Sequence, residues 1–159
     1  MTTEAKPHIG INDADRKQIT EGLSHLLADT YTLYVMTQGY HWNVTGPTFH
    51  SLHEMFEEQY IQLREAADVV AERVRGLGET APGSFAEFLE LGTIEDNQQP
   101  GDPMAMVESL ATGHETIIRV ARPLVDLAEK AGDVATADLV TERIREHEHV
   151  AWMLRATAA

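Results

Sequence analysis

Apolar residues recur three and four positions apart along most of the chain, and the two-residue alternation of a β-strand is missing. Ile19, Leu23, Leu26, Leu27, Leu33 and Tyr34 trace a first helical stripe that continues to about Tyr40. Asn12 or Asp13 caps its start, and Asp15 stands in the first turn, where a carboxylate complements the helix dipole. Asn43-Val44-Thr45-Gly46-Pro47 reads as a turn. A second helix follows from about Thr48, with Leu52, Met55, Phe56, Leu63, Val70, Val74 and Leu77 on its apolar side, and Gly76 and Gly78 end it. Asp102-Pro103 predicts an N-cap with proline at the first helical position of a third helix. That helix carries Met106, Val107, Leu110, Ile117, Leu124 and Leu127, with a kink expected at Pro123. Gly132-Asp133 closes it and caps a fourth, whose Val140, Ile144, Ala151 and Leu154 face inward.

Helices of about 30 residues are far longer than the usual length of about 11–12. Four of them with amphipathic stripes predict an all-α bundle. The first two are joined tightly, and so are the last two, so each pair is antiparallel. Between Leu77 and Asp102 lie 24 residues, too many for a turn. A helix of this size is about 45 Å long, and a connection of this length extends over roughly 80 Å. It therefore suffices for one crossover along the bundle. Phe85, Phe88 and Leu89 within Ser84 to Leu91 predict a short helix inside it. A four-helix bundle with one long crossover is the ferritin-like connectivity. Residues 1–11 are expected to be a flexible tail and 12–157 the bundle domain.

Size and charge narrow the function. A chain of 159 residues has room for one core of this kind. The balance of 26 acidic against 12 basic residues, a formal net of −14, repels phosphate backbones and attracts cations. There is no cysteine, so a metal here must be held by imidazole and carboxylate, which suits iron, manganese or zinc. No apolar run approaches the roughly 20 residues of a membrane span. The N-terminus lacks the apolar stretch of a signal peptide, which predicts a cytoplasmic protein.

The second helix carries His53 and Glu57 four residues apart, and Asp68 and Glu72 again four apart, so each pair shares a helix face. His41 stands at the end of the first helix. Glu57 and Asp68 are 11 residues apart, which points both the same way. They nevertheless stand roughly 16 Å apart along the axis, too far to share a dinuclear centre, whose ions lie about 4 Å apart. Each subunit thus offers two half-sites. Two such helices placed antiparallel about a two-fold axis bring His53 and Glu57 of one to Asp68 and Glu72 of the other, twice. The bland alternative is a set of solvated charges and a capping histidine. A site inside one bundle needs a Glu-x-x-His on each of two helices. The bundle has one such motif, Glu146 to His149.

His41-Trp42-Asn43-Val44-Thr45-Gly46-Pro47, followed by Phe49, Leu52-His53-Glu54-Met55 and Glu57, resembles the signature of the Dps proteins, the mini-ferritins. So do Asp68-Val69-Val70-Ala71-Glu72-Arg73 with Leu77-Gly78, and Gly132-Asp133 to Asp138 before Trp152. The resemblance runs from about residue 12 to 155. It implies a dodecameric shell built from two-fold dimers, with His41, His53 and Glu57 of one subunit and Asp68 and Glu72 of its mate forming each ferroxidase site. Two iron positions per site are implied, open to other divalent metals. His41 and His53 anchor iron, Glu57 and Glu72 bridge or complete coordination, and Asp68 serves the more open position. Hydrogen peroxide is the implied oxidant, ferric mineral the product, and protection of DNA from oxidative damage the outcome.

The resemblance further implies an iron-entry pore at Glu129, Asp133 and Asp138, against the plainer reading of acidic residues complementing a helix start. For Trp42 it implies a radical quencher, against plain packing. This chain departs from the family at Glu57, where aspartate is common. Members that condense DNA use lysine-rich tails, whereas here Lys6 is the tail's one basic residue, which argues against direct DNA binding. Of the remaining histidines, His147 and His149 are expected at the surface, His8 in the tail, and His25, His50 and His114 in local hydrogen bonds. The predicted activity is that of a ferroxidase and iron store in the cytoplasm, near the nucleoid. Its rivals are a nucleoid-compacting DNA-binding protein and a metal-dependent hydrolase.

Overall fold

The side chain of Asn12 accepts the amide of Asp15 at 2.9 Å and opens α1, Asp13–Asn43. In the computed structural model, which describes residues 6–95 and 101–159, four further helices follow. They are α2 (Phe49–Gly76), α3 (Phe85–Leu91), α4 (Pro103–Lys130) and α5 (Val134–Ala158), and no strand occurs among the described residues. The first five residues of the expected tail lie outside the described residues. Of the rest, Lys6 pairs with Asp13 at 2.7 Å, and Pro7 lies against Gly78 at the end of α2.

Local chemistry sets the boundaries. α2 and α4 both end in the left-handed turn that favours glycine: Gly78 has φ +94° and Gly132 φ +72°. At each end the following amide reaches back to close the helix, Glu79 to Val74 and Asp133 to Ala128. Asp102 accepts the amide of Ala105 at 2.8 Å, with Pro103 just inside the helix. α4 passes Pro123 without ending, as expected.

α1 packs against α2 and α4 against α5, and the two antiparallel pairs meet chiefly where α1 crosses α4. Glycines permit that crossing. A Cβ on Gly22 would stand 2.7 Å from Leu124 Cδ1, and one on Gly113 would stand 2.6 Å from Leu33 Cδ1. Each helix thus offers a notch for a leucine of the other. The core is the set of stripes read from the sequence, including fully buried Ile19, Leu23, Leu26, Phe56, Leu110 and Ile117.

The crossover is strapped to α1. Ser84 caps α3, its hydroxyl donating to Glu87 Oε2 at 2.8 Å. Phe88 stacks on Tyr31 with ring centroids 4.6 Å apart. Buried Asp29 accepts the amides of Thr93 at 2.6 Å and Ile94 at 2.9 Å, and His25 Nδ1–H donates to the Leu91 carbonyl at 2.8 Å. α3 and its exit are thereby held on α1, leaving the outer face of α2 free.

Candidate metal site

α1 and α2 come together at the turn of residues 44–48, which sets His41 beside His53. Their rings stack with centroids 3.8 Å apart. His41 Nδ1 lies 2.8 Å from the carbonyl of His53, and His53 Nδ1 lies 2.8 Å from the carbonyl of His41. A carbonyl oxygen only accepts, so both Nδ1 atoms carry hydrogen, and the neutral tautomer that fits these bonds has its bare lone pair at Nε2. This is the arrangement that orients a metal-binding imidazole: one nitrogen anchored by a backbone acceptor, the other free. His41 is buried and His53 half-buried. The Phe49 ring lies 5.0 Å from that of His53, and the Tyr60 ring meets His41 edge-on at 5.2 Å.

One turn beyond His53, exposed Glu57 accepts a long hydrogen bond of 3.4 Å from the Tyr60 hydroxyl. Asp68 and Glu72 are exposed farther along α2. Asp68 lines an open cleft of about 520 Å³ together with Tyr31, Arg64, Pro82 and Phe88. The two groups stay apart within one chain. Among the described residues no three ligand-type side chains converge on one point. The chain pairs the histidines with each other but does not bring Asp68 and Glu72 to them. Exposed carboxylates such as Asp68 and Glu72 have the donor chemistry that a hard or borderline cation needs.

Several expectations change. Asp133 has structural partners within the chain: it is buried, caps α5 through Thr136 (amide at 3.0 Å, hydroxyl at 2.6 Å) and pairs with Arg73 at 2.6 Å. Burial opposes its ionisation, but these hydrogen bonds and the Arg73 charge outweigh it and hold the pKa below the ordinary carboxylate value. Glu129 and Asp138 are exposed. Trp42 is 66% exposed beside the site, so packing does not explain it within one chain.

His147 is not at the surface. It is buried, and its Nδ1 lies 2.8 Å from Nδ1 of equally buried His114, inside the bundle. The signal was present: His147 falls on the stripe of Val140, Ile144, Ala151 and Leu154 at helical spacing. His149 is exposed against the Trp152 ring, and His50 faces Glu54 at 3.3 Å. Sequence reasoning also passed over Tyr60, although it lies three residues after Glu57 and seven after His53 on the same face.

An all-α four-helix bundle with one long crossover defines a ferritin-like fold, and among the described residues its histidines and carboxylates do not converge on one metal position. Relatives agree. Residues 20–159 match the family model of the Ferritin-like domain. The chain is 44% identical over 153 residues to an uncharacterized low temperature-induced protein of Nostoc sp., covering 94% of this chain and 84% of that one. It is 33% identical to DNA protection during starvation protein 2 of Bacillus anthracis, covering 88% of this chain and 96% of the relative. The crystal structure of the Dps protein of Vibrio cholerae superposes with a TM-score of 0.93 at 31% identity, over 100% of both chains. That protein is described as a member of a broad superfamily of ferritin-like diiron-carboxylate proteins. The chain belongs to the Dps family of ferritin-like proteins.

Proposed function

We propose that the protein is a ferroxidase and iron store in which sites shared between two-fold-related subunits oxidise Fe²⁺ with hydrogen peroxide. The reciprocal hydrogen bonds of His41 and His53 carry the reading, because they present two Nε2 lone pairs while the carboxylates that would complete a shell lie elsewhere on α2. His41, His53 and Glu57 of one subunit and Asp68 and Glu72 of its mate bind two Fe²⁺ ions as substrate. The exposed apolar residues Val35, Phe85 and Leu89 adjoin the Asp68 cleft through Tyr31 and Phe88, and a second copy covers them. Six such dimers form a dodecameric shell. Glu129 and Asp138 attract Fe²⁺ at its openings, ferric mineral grows inside, and Trp42 intercepts stray radicals. Consuming Fe²⁺ and peroxide together protects DNA in the cytoplasm without contact, a role in keeping with the name of the Bacillus anthracis relative.

Mixed reassembly tests the shared site. His53→Ala damages one half-site and Asp68→Ala the other, so each variant oxidises iron slowly alone. When the two chains are reassembled together, random pairing puts about half of the dimers in the mixed state, each with one intact site of two. About a quarter of wild-type activity returns. No recovery in shells of confirmed mass would mean that one chain supplies all the ligands.

A further inference from the structure

Three of the four tyrosines in the chain form a row. Tyr60 on α2 meets the His41 ring at 5.2 Å and donates its hydroxyl to Glu57 at 3.4 Å. Its ring lies 6.2 Å from that of Tyr34 on α1, which in turn meets Tyr31 edge-on at 5.4 Å. Tyr31 lines the cleft that holds Asp68. The fourth, Tyr40, is fully buried, and its hydroxyl is 3.1 Å from Ser109 Oγ, the setting of a structural tyrosine. The three in the row are only half-buried and run from the histidine half-site to the carboxylate half-site of one subunit. Those half-sites belong to different shared sites, so the row spans the gap between the two metal centres of a dimer.

We infer that Tyr60, Tyr34 and Tyr31 relay electrons between the two shared sites. The inference rests on the ferroxidase reading above. Peroxide takes two electrons, whereas one Fe²⁺ gives one. A site holding a single Fe²⁺ would otherwise convert peroxide to hydroxide and a hydroxyl radical. The relay supplies the missing electron. At the first site, Fe²⁺, H₂O₂, two protons and one relayed electron give Fe³⁺ and two waters: the O–O bond breaks and two O–H bonds form. At the second site, Fe²⁺ becomes Fe³⁺ and refills the row. Tyr60 passes its electron on while its phenolic proton moves to the Glu57 carboxylate, and both return when Tyr34 re-reduces it. Tyr34 and Tyr31 are oxidised and restored in turn. Tunnelling falls steeply with distance, and two short steps between neighbouring rings, Tyr60 to Tyr34 and Tyr34 to Tyr31, break up one long transfer between the sites. Phenylalanine would fill the same space but cannot be oxidised within this range.

The test uses assembled shells of wild type and Tyr34→Phe, a residue outside both half-sites. Each is loaded anaerobically with about one Fe²⁺ per shared site and mixed with hydrogen peroxide. Freeze-quenched samples are read by electron paramagnetic resonance, and hydroxyl radical by spin trapping. Wild type should show a transient tyrosyl radical, and Tyr34→Phe should lose much of it and release several-fold more trapped hydroxyl radical. At saturating iron, with two Fe²⁺ in every site, the two proteins should oxidise iron at equal rates. Tyr31→Phe breaks the row at its other end and reads the same outcome if Tyr34→Phe assembles poorly. Equal radical yields in wild type and both variants, with iron oxidation normal, would overturn the relay. A wild type that oxidises no iron with peroxide would instead overturn the ferroxidase reading.

Discussion

His41 and His53 lock each other: each donates Nδ1–H to the backbone carbonyl of the other at 2.8 Å, across two helices. Neither ring can rotate without breaking a hydrogen bond that the other helix end also needs. Orientation of a metal-binding imidazole by such a partner is worth about 10–100-fold in affinity. His53→Ala removes a ligand outright together with the ring stacked on His41, which keeps its own anchor on the residue 53 carbonyl, so its effect should exceed that range. Titration with Co²⁺, a redox-quiet probe with visible absorbance, should show affinity reduced by more than about 100-fold. An unchanged Co²⁺ titration would remove the pair from the metal site.

The buried pair His114 and His147 makes stability depend on pH. Burial, with a contribution from Arg143, lowers the His114 pKa from 6.5 to about 3. Burial pushes His147 well below its ordinary value too, with smaller contributions from His114 and Arg143. The unfolded chain therefore binds more protons than the folded one below about pH 6.5. Stability from the neutral pair is complete above pH 6.5 and is lost as pH falls from there toward 3. Two protons set an upper slope of about 2.7 kcal/mol per pH unit. Denaturation midpoints at pH 7.5 and 5.5 should fall for wild type and fall less for the double variant His114→Leu/His147→Leu. An equal fall in both would assign the acid sensitivity to other groups.

Asp29 should be the weak point of the crossover. Its buried carboxylate takes the amides of Thr93 and Ile94, and Asp29→Ala would leave two backbone donors without their partner. A loss on the order of 2–3 kcal/mol is expected. Amide hydrogen exchange should rise first over residues 85–94, ahead of the four long helices. Uniform exchange in the variant would show that the strap is not where the segment is held.

Charge predicts that the protein leaves DNA alone. Each chain carries a formal −14, and the tail lysine, Lys6, is paired with Asp13. Metal-free protein should not shift duplex DNA at physiological salt, yet DNA should survive Fe²⁺ plus peroxide in its presence. Retardation that weakens as salt rises would refute the charge argument.

The helices were legible in the sequence because their signals are local. A 3.6-residue period, an Asn12 or Asp102 cap and a glycine past the last turn act within a few residues of one another, and each stands where the pattern predicts. The distance of His53 and Glu57 from Asp68 and Glu72 along α2 was legible for the same reason, since rise per residue needs no partner. The tertiary structure decided what depends on one helix sliding against another. Helical spacing puts His147 on the inner stripe of α5, but its meeting with His114 depends on how deeply α4 and α5 interlock. His41 and His53 are 12 residues apart across a turn, and only the angle of α1 on α2 stacks them. The sequence shows Asp133 only as an acidic helix start, and the fold brings Arg73, 60 positions away, against it. Tyr60, Tyr34 and Tyr31 form a row only because α1 and α2 run antiparallel in one register. Propensity and capping are short-range, whereas register comes from side-chain packing over whole helix faces, including the Gly22 and Gly113 notches that let α1 and α4 close.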